Sequence, residues 1–379
     1  MTSNTAEVAI HDLTRHIGAV RALDGVSLEI PTGETLAVLG PSGCGKSTLL
    51  RLLAGLDTPT GGEIHIAGQK VNGNGLEVPP ERRPVNMVFQ DFALWPHMNV
   101  KQILQYGMKY RGIARGRRDQ RVTELLELVD LGGMEKRYPR ELSGGQQQRV
   151  AIARALATEP RVLLFDEPLS NLDSQLRQQM RDDLARMLRE LGTTALYVTH
   201  DLQEALALGQ RVVVMQAGRI AQIDETRELF RKPATPWVAE LVGYANILDG
   251  RILRREDDWA LVQTGQQTLW AHCRDQGLAT GDATQVMFQP RGCRLSHKGA
   301  QESNLNTLPV QVEQQVFEGH GWRINCRHGQ RLLQVHDALP HDAGTGMSVA
   351  FEKAATHAYR ADAEAVPASR QTESAARIA

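Results

Sequence analysis

The sequence lacks any apolar run long enough to cross a membrane. Its longest runs, such as residues 162–165 and 212–215, fall far short of the roughly 20 residues that a spanning helix needs. The first seven residues have neither the basic start nor the apolar centre of a signal peptide. We therefore expect an intracellular chain without direct membrane insertion, which meets a membrane only through partner proteins.

The sequence also has little net charge and few cysteines. The chain has 43 Lys and Arg residues against 44 Asp and Glu residues, a formal net charge of −1. This balance gives no basic surface of the kind that attracts nucleic acid, so we expect no nucleic-acid partner. The four cysteines form no C-x-x-C pair, which indicates free thiols in a reducing compartment. They are Cys44, Cys273, Cys293 and Cys326.

A length of 379 residues suggests two domains. Residues 6–240 alternate between buried-strand and helix patterns, which predicts an α/β domain. The pattern changes near residues 233–236, and residues 245–353 show only short strands and turns, so we predict an all-β domain built as a small barrel. The Ala-, Glu- and Arg-rich tail at 360–379 has a composition typical of disorder.

A glycine-rich segment lies between a predicted strand at 35–39 and a predicted helix at 48–54. Its eight residues fit the pattern G-x-x-x-x-G-K-[ST] at every fixed position. They are Gly40, Pro41, Ser42, Gly43, Cys44, Gly45, Lys46 and Ser47. Backbone N–H groups and a helix N-terminus can bind phosphates there, Lys46 can reach the β- and γ-phosphates, and Ser47 can ligate Mg²⁺. A glycine-rich turn that binds nothing is the alternative.

Two carboxylates close a second apolar strand. Residues 161–165 read as a buried strand that ends in Asp166 and Glu167. Acids at the end of a hydrophobic strand are costly without a partner, so Asp166 is a candidate Mg²⁺ ligand. Glu167 is a candidate base for an attacking water. The alternative is a pair of acids at a surface turn.

Polar side chains also follow two further predicted strands. Gln90 ends the strand at 85–89 and His200 ends the strand at 194–199. The carboxyl ends of parallel strands meet at the edge where α/β folds bind ligands, so both are candidate phosphate contacts. A polar strand cap and a structural histidine are the alternatives. Apolar side chains at 92–98, after Gln90, belong either to the core or to an exposed partner patch.

A second candidate anion site precedes a long amphipathic helix. Residues 142–146 place Ser143 as an N-cap, with Gly144 and Gly145 in the first turn. Because the glycine-rich segment at 40–47 already supplies one phosphate site, this second site suggests binding to the γ-phosphate held by another subunit. A capped helix with a flexible start is the alternative.

In this order, the segments resemble the ATP-binding cassette (ABC) family. Residues 40–47 are similar to its Walker A loop, 162–167 to Walker B with its catalytic Glu, and 142–146 to its signature motif. Gln90 is similar to the Q-loop residue, residues 170–173 to the D-loop, and His200 to the switch histidine. The resemblance covers residues 6–240 and implies a P-loop NTPase fold with a helical subdomain.

The resemblance also implies a site and a mechanism. ATP would lie between two copies of the chain arranged head to tail, with Glu167, His200 and Gln90 as catalytic residues and Ser47, Gln90 and Asp166 around Mg²⁺. Beyond the loop residues already named, the implied ATP contacts are Thr48, Ser143, Gly144, Gly145, Gln146 and Asp173.

One position departs from the family pattern. The family stacks adenine on an aromatic residue upstream of Walker A, whereas the corresponding residues 15–18 read Arg-His-Ile-Gly. His16 and Ile17 are the two candidates for contacting the base. We therefore expect weak discrimination between ATP and GTP.

The C-terminal part resembles the transport-associated OB-like (TOBE) domain of importer ATPases. The resemblance implies an ATP-hydrolysing subunit, peripheral on the cytoplasmic face of the inner membrane, working with two transmembrane permease subunits and a solute-binding protein. Ferric iron, a polyamine or a phosphonate are the solutes it suggests. An exporter ATPase and an ABC ATPase acting on nucleic acid or the ribosome are the alternatives.

Overall fold

A computed structural model of the chain describes residues 6–297 and 303–361. The chain divides into two compact units between Leu229 and Phe230, before the limit of 240 suggested by the sequence. Of the predicted tail at 360–379, all but the first two residues lie outside the described part. No described helix is both long and apolar enough to span a bilayer.

From residue 6 onward, where the structure describes it, the first unit contains eleven strands and seven helices. The strands are β1 Ala6–Ile17, β2 Val20–Pro31, β3 Thr35–Leu39, β4 Gly61–Ile66, β5 Gln69–Gly73, β6 Leu76–Glu77, β7 Val85–Val88, β8 Val162–Asp166, β9 Thr194–Thr199, β10 Arg211–Gln216 and β11 Arg219–Glu225. The helices are α1 Lys46–Ala54, α2 Val100–Tyr110, α3 Arg115–Leu128, α4 Gly144–Leu156, α5 Ser174–Leu191, α6 Leu202–Leu208 and α7 Thr226–Arg231, the last spanning the point of division.

The site is carried by a six-stranded sheet in the order β11-β10-β3-β9-β8-β7. Every neighbouring pair from β10 to β7 is parallel, and β11 joins antiparallel. Strands β3 and β9 are buried along their whole length, as expected for parallel strands covered on both faces. The predicted α/β fold of this part of the chain is confirmed.

A second sheet, in the order β2-β1-β4-β5-β6, is antiparallel. Residues 70–84, although rich in Gly, Asn and Pro, contain most of β5, all of β6 and a 3₁₀ turn at Pro80–Arg82. Asn74 and Gly75, with φ of 53° and 82°, form the two-residue turn between β5 and β6. An Asn-Gly pair with positive φ is typical of such hairpins.

The helical subdomain contains α2 to α4, which share one apolar cluster with α5 and with one face of strands β7, β8 and β9. Helix α5 begins after Asp173, which caps it by accepting a hydrogen bond from the Leu176 N–H at 3.0 Å, and it ends at Gly192 with φ of 57°. After Gln90, Phe92 is buried, and Leu94, Trp95 and Met98 pack against this cluster. Phe92 therefore belongs to the core, and the other three side chains are half-buried at its edge.

The second unit is predominantly β, as predicted. Its described residues, 230–297 and 303–361, contain α8 Pro236–Leu241 and ten strands, β12 Asn246–Glu256, β13 Trp259–Thr264, β14 Gln267–His272, β15 Ala283–Phe288, β16 Arg294–Ser296, β17 Leu305–Phe317, β18 Trp322–His328, β19 Arg331–Asp337, β20 Gly346–Glu352 and β21 Thr356–Arg360. Strands β12, β13, β14, β21 and β15 close a barrel, and the other five form a sheet in the order β16-β20-β17-β18-β19. Strand β21 lies beyond the limit of 353 suggested by the sequence.

Candidate active site

The glycine-rich segment connects the end of β3 to the start of α1. No side chain caps α1, whose N-cap Gly45 has φ of 108°, so the first-turn N–H groups remain available to an anion. A Cβ at Gly40 would lie 2.4 Å from the Met215 carbonyl oxygen, which restricts that position to glycine. Pro41, Ser42 and Gly43 are exposed, while Cys44 is buried and Thr48 is half-buried.

Lys46 is only 4% exposed, and its Nζ donates to the carbonyl oxygens of Gly40 at 2.7 Å and Pro41 at 3.1 Å. Both acceptors are neutral. Burial of an ammonium group costs free energy unless an anion compensates it. The loop therefore holds a cation at the point where a phosphate would supply the missing negative charge.

A hydrogen bond ties this loop to the end of β8. The Ser47 hydroxyl donates to Asp166 Oδ1 at 3.1 Å. Burial raises the pKa of Asp166, and the neighbouring charge of Glu167 raises it further, although the bond from Ser47 acts in the opposite direction. A hydroxyl beside a partly desolvated carboxylate is an oxygen donor set of the kind that Mg²⁺ prefers, so these residues fit a magnesium ion.

Glu167 and His200 form a close pair at the same edge of the sheet. His200 Nδ1 lies 2.7 Å from Glu167 Oε2. Glu167 has a left-handed φ of 42°, which is unfavourable for a residue with a side chain. Its N–H donates to the Val198 carbonyl at 3.0 Å, and its own carbonyl accepts the Ser170 hydroxyl at 2.8 Å. These bonds hold the carboxylate in place beside the imidazole.

A buried polar network supports the start of the loop that carries His200. Glu204 is 3% exposed and accepts hydrogen bonds from the Tyr197 and Thr199 hydroxyls, both at 2.8 Å. The Thr199 hydroxyl also accepts the Asp201 N–H at 3.0 Å. Sequence reasoning missed Glu204. The signal in the sequence was a charged residue among the apolar residues of the short helix after His200. The structure places its side chain against β9.

Gln90 has an exposed side chain at the end of the sheet's outer strand β7. Its carbonyl accepts the side-chain N–H of Asn171, from the D-loop segment, at 2.9 Å. The segment that follows has left-handed residues at Phe92 and Ala93, with φ of 61° and 46°. The Q-loop and D-loop segments are therefore in direct contact within one chain.

Arg154 holds that left-handed segment from helix α4. Its guanidinium donates to the carbonyl oxygens of Phe92, at 3.1 Å, and Ala93, and lies 5.5 Å from the centre of the Trp95 ring. Burial lowers the pKa of Arg154. Sequence reasoning missed this residue, although an arginine inside the apolar run at 150–157 was a signal for an inward-facing charge.

The signature segment is already capped within the chain. Ser143 and Gln146 form a reciprocal capping box, with the Gln146 N–H bound to the Ser143 hydroxyl at 3.3 Å and the Ser143 N–H bound to Gln146 Oε1 at 3.0 Å. Gly144 and Gly145 form the first turn of α4. Among the hydrogen bonds of the described residues, none joins residues 143–146 to the glycine-rich loop.

His16 and Ile17 lie at the tip of the β1–β2 hairpin. The His16 backbone N–H donates to the Thr60 hydroxyl at 3.2 Å, which fixes the strand but leaves the imidazole exposed. Ile17 pairs across the hairpin with Val20, and the two residues are 55% and 66% exposed. An uncovered aliphatic pair is thus available to a flat apolar ring.

Comparison with known proteins agrees with this arrangement. The sequence profile of the family described as "ABC transporter" matches residues 23–170. A spermidine/putrescine import ATP-binding protein of Rubrobacter xylanophilus is 41% identical over 91% of each chain. An Fe(3+) ions import ATP-binding protein of Escherichia coli O157:H7 is 40% identical over 87% of this chain and 90% of its own. A dimeric ATP-binding cassette in a post-hydrolysis state with ADP and Pi matches with 33% identity and a TM-score of 0.51, covering 58% of this chain and 99% of its own.

Proposed function

The chain belongs to the ABC transporter family as an ATPase that energises solute import, and we propose that it works as a pair of copies with Mg²⁺-bound ATP. Relatives named as import ATP-binding proteins match about nine-tenths of the chain. Neither an exporter nor an ATPase acting on nucleic acid is favoured by these likenesses. The observation that carries the proposed mechanism is the Glu167–His200 pair beside the Ser47–Asp166 bond.

Each group at this edge has a distinct proposed task. Lys46 and the first-turn N–H groups of α1 bind the phosphates, and Ser47, Asp166 and Gln90 would hold Mg²⁺. When bound, the ion neutralises phosphate charge that develops during transfer. Glu167 orients a water and accepts its proton, and His200 orients the Glu167 carboxylate through the 2.7 Å contact.

The signature segment serves the partner copy in this proposal. The capping box leaves the Gly144 and Gly145 N–H groups in the first turn of α4 unused, yet no hydrogen bond among the described residues connects this turn to the loop around Lys46. A second copy placed head to tail would bring its own residues 143–146 to that loop. Dimerisation of the similar cassette bound to ADP and Pi supports this assembly.

We infer that permease subunits dock on the helical subdomain, at the cytoplasmic face of the inner membrane. A groove of about 540 Å³ runs along α2 and the start of α3, a few residues after Gln90. Met98 and Tyr106 give it an apolar floor, and Lys109, Arg115 and Arg118 make it basic. An acidic segment of a permease fits this charge, and so does the C-terminal end of a permease helix, because its free carbonyl groups carry partial negative charge. A solute-binding protein would complete the importer.

We propose that the solute is a cation. The similar proteins carry the names of spermidine/putrescine and of Fe(3+) ions, which are all positively charged. The test measures uptake of labelled putrescine, spermidine and ferric iron in cells whose own copy of the chain carries Glu167→Gln. Loss of uptake of one of these solutes identifies it. Unchanged uptake of all three, with loss for an anionic or neutral solute, contradicts the proposal.

A further inference from the structure

A cavity of about 320 Å³ opens in the second unit. Its walls come from the segment before α8, from the residues after β14 and from β21. Its lining includes Pro233, Pro236, His272, Arg274, His357 and Tyr359. All of them belong to the second unit, and none has a part in the proposed reaction with ATP.

The walls of this cavity are fixed by ring contacts and hydrogen bonds. His272 stacks on Trp259 with ring centres 3.8 Å apart and lies 5.9 Å from the ring of His357. His357 is buried, and its Nε2 lies 3.2 Å from the Tyr244 hydroxyl. The Tyr359 hydroxyl donates to the Pro233 carbonyl at 2.9 Å. A preformed cavity of this kind loses little entropy when a ligand binds.

The charge around the cavity is positive. Asp275 is the acidic residue among the described lining residues, and its carboxylate is paired with Arg360, with Nε and Oδ2 3.3 Å apart. Arg274 has no carboxylate partner among the ion pairs of the described residues, and its charge acts on both His272 and His357. One exposed cationic group without a paired carboxylate therefore lies at the cavity.

The imidazoles add no charge of their own at neutral pH. Burial lowers the pKa of His357 to about 4, and burial also lowers the pKa of His272. The positive charge of Arg274 lowers both values further. Arg274 would therefore repel a cationic ligand and attract an anionic one.

We propose that this cavity binds a small organic anion, with its charged group at Arg274 and an apolar body against Pro233, Pro236 and the ring of Tyr359. The volume suits a molecule at the small end of the range of ligand pockets. Arg274 selects the charge, and the proline and tyrosine surfaces select the apolar body. This proposal does not depend on the proposed mechanism of ATP hydrolysis.

The stacked Trp259 provides a reporter inside the full chain. Its fluorescence is followed while phenylacetate, its neutral analogue phenylacetamide, or inorganic phosphate is added, and Trp259→Phe identifies the responding residue. Arg274→Gln removes the proposed charge contact. Arg294→Gln, an exposed arginine of β16 in the same unit, is the matched control. Calorimetry of the same samples detects binding that leaves fluorescence unchanged.

We expect saturable binding of phenylacetate that weakens at least tenfold in Arg274→Gln and is unchanged in Arg294→Gln. Phenylacetamide and phosphate should each bind at least tenfold more weakly than phenylacetate. Equal binding of phenylacetate and phenylacetamide, or no effect of Arg274→Gln, overturns the proposed charge selection. Phosphate binding as tight as that of phenylacetate overturns the apolar contact. Absence of binding by both methods overturns the site.

Discussion

At the residue scale, the proposed base contact is where the sequence departs from the motif pattern that it otherwise resembles. Ile17 and Val20 form an exposed aliphatic pair, and the imidazole of His16 is exposed on the neighbouring residue. An aliphatic surface can cover a purine ring but lacks the ring–ring interaction that an aromatic side chain adds, worth roughly 0.5–1.5 kcal/mol. Neither residue offers a fixed hydrogen bond to distinguish adenine from guanine.

We therefore predict that Ile17→Tyr lowers the KM for ATP by roughly three- to tenfold, because a ring can then stack on the base. The KM values for ATP and GTP are measured for wild type, Ile17→Tyr and the aliphatic control Ile17→Leu. The control should behave as wild type. If His16→Ala weakens ATP binding while Ile17→Tyr has no effect, the base rests on the histidine and the assignment to Ile17 is wrong.

Glu204 is the residue whose ionisation most clearly opposes folding near the site. Burial raises its pKa above the usual value near 4.5, although the Thr199 and Tyr197 hydroxyls favour its charged form. The folded state therefore holds the proton more tightly than the unfolded state does. Its contribution to stability falls as the pH rises from about 4.5 through the raised folded-state pKa.

We predict that Glu204→Gln gains stability relative to wild type as the pH rises from 4.5 to 8, because the amide oxygen still accepts hydrogen bonds but carries no charge. Chemical denaturation at both pH values gives the two free energies of unfolding. Glu190→Gln, at an exposed position of α5, should show no such trend. A stability difference for Glu204→Gln that does not change with pH would contradict the prediction.

At the element scale, Arg154 links helix α4, which starts at the signature segment, to the residues after Gln90. Its hydrogen bonds to the Phe92 and Ala93 carbonyls offset the cost of two adjacent left-handed residues. Arg149, on the same helix, donates to the Val129 carbonyl at 2.9 Å and to the Asp183 carboxylate at 2.6 Å, and these contacts do not involve the residues after Gln90. Comparing variants at these two arginines therefore distinguishes the effect of the Q-loop contact from the effect of anchoring α4.

We predict that Arg154→Gln lowers kcat on the order of tenfold with little change in the KM for ATP, because Gln90 loses its fixed position. Arg154→Lys should recover part of the activity, since one carbonyl contact survives. Arg149→Gln should lower the melting temperature without this loss of kcat. An equal fall in kcat for both glutamine variants would show that Arg154 only anchors the helix.

Most elements of the first unit could be predicted because their signals are local. The strands ending at Asp166 and His200 are continuous apolar runs, and α5 has both a capping aspartate and a terminating Gly192. Strand β21 was missed because it closes the barrel by pairing with β15, about 70 residues earlier in the chain. Its sequence carries no local sign of that partner.

At the scale of the whole molecule, the family and the fold of the first unit follow from six ordered motifs, and the relatives match along about nine-tenths of the chain. The sequence also predicted that Gln90, Asp166, Glu167 and His200 would share one sheet edge, because parallel strands end together. It could not predict that β8 lies between β9 and β7, an order that places Gln90 after the strand next to the one that ends in Asp166. Strand order is a property of the whole fold.

The first measurement is ATP hydrolysis by the full chain with Mg²⁺, for wild type and Glu167→Gln, together with the amount of bound ATP. We predict that the variant binds ATP with wild-type affinity and hydrolyses it roughly 10²–10⁴ times more slowly, because the water loses its base. Lys46→Ala, which removes the phosphate contact, should instead lose binding. A Glu167→Gln variant that hydrolyses ATP at a rate close to that of wild type would contradict the central claim.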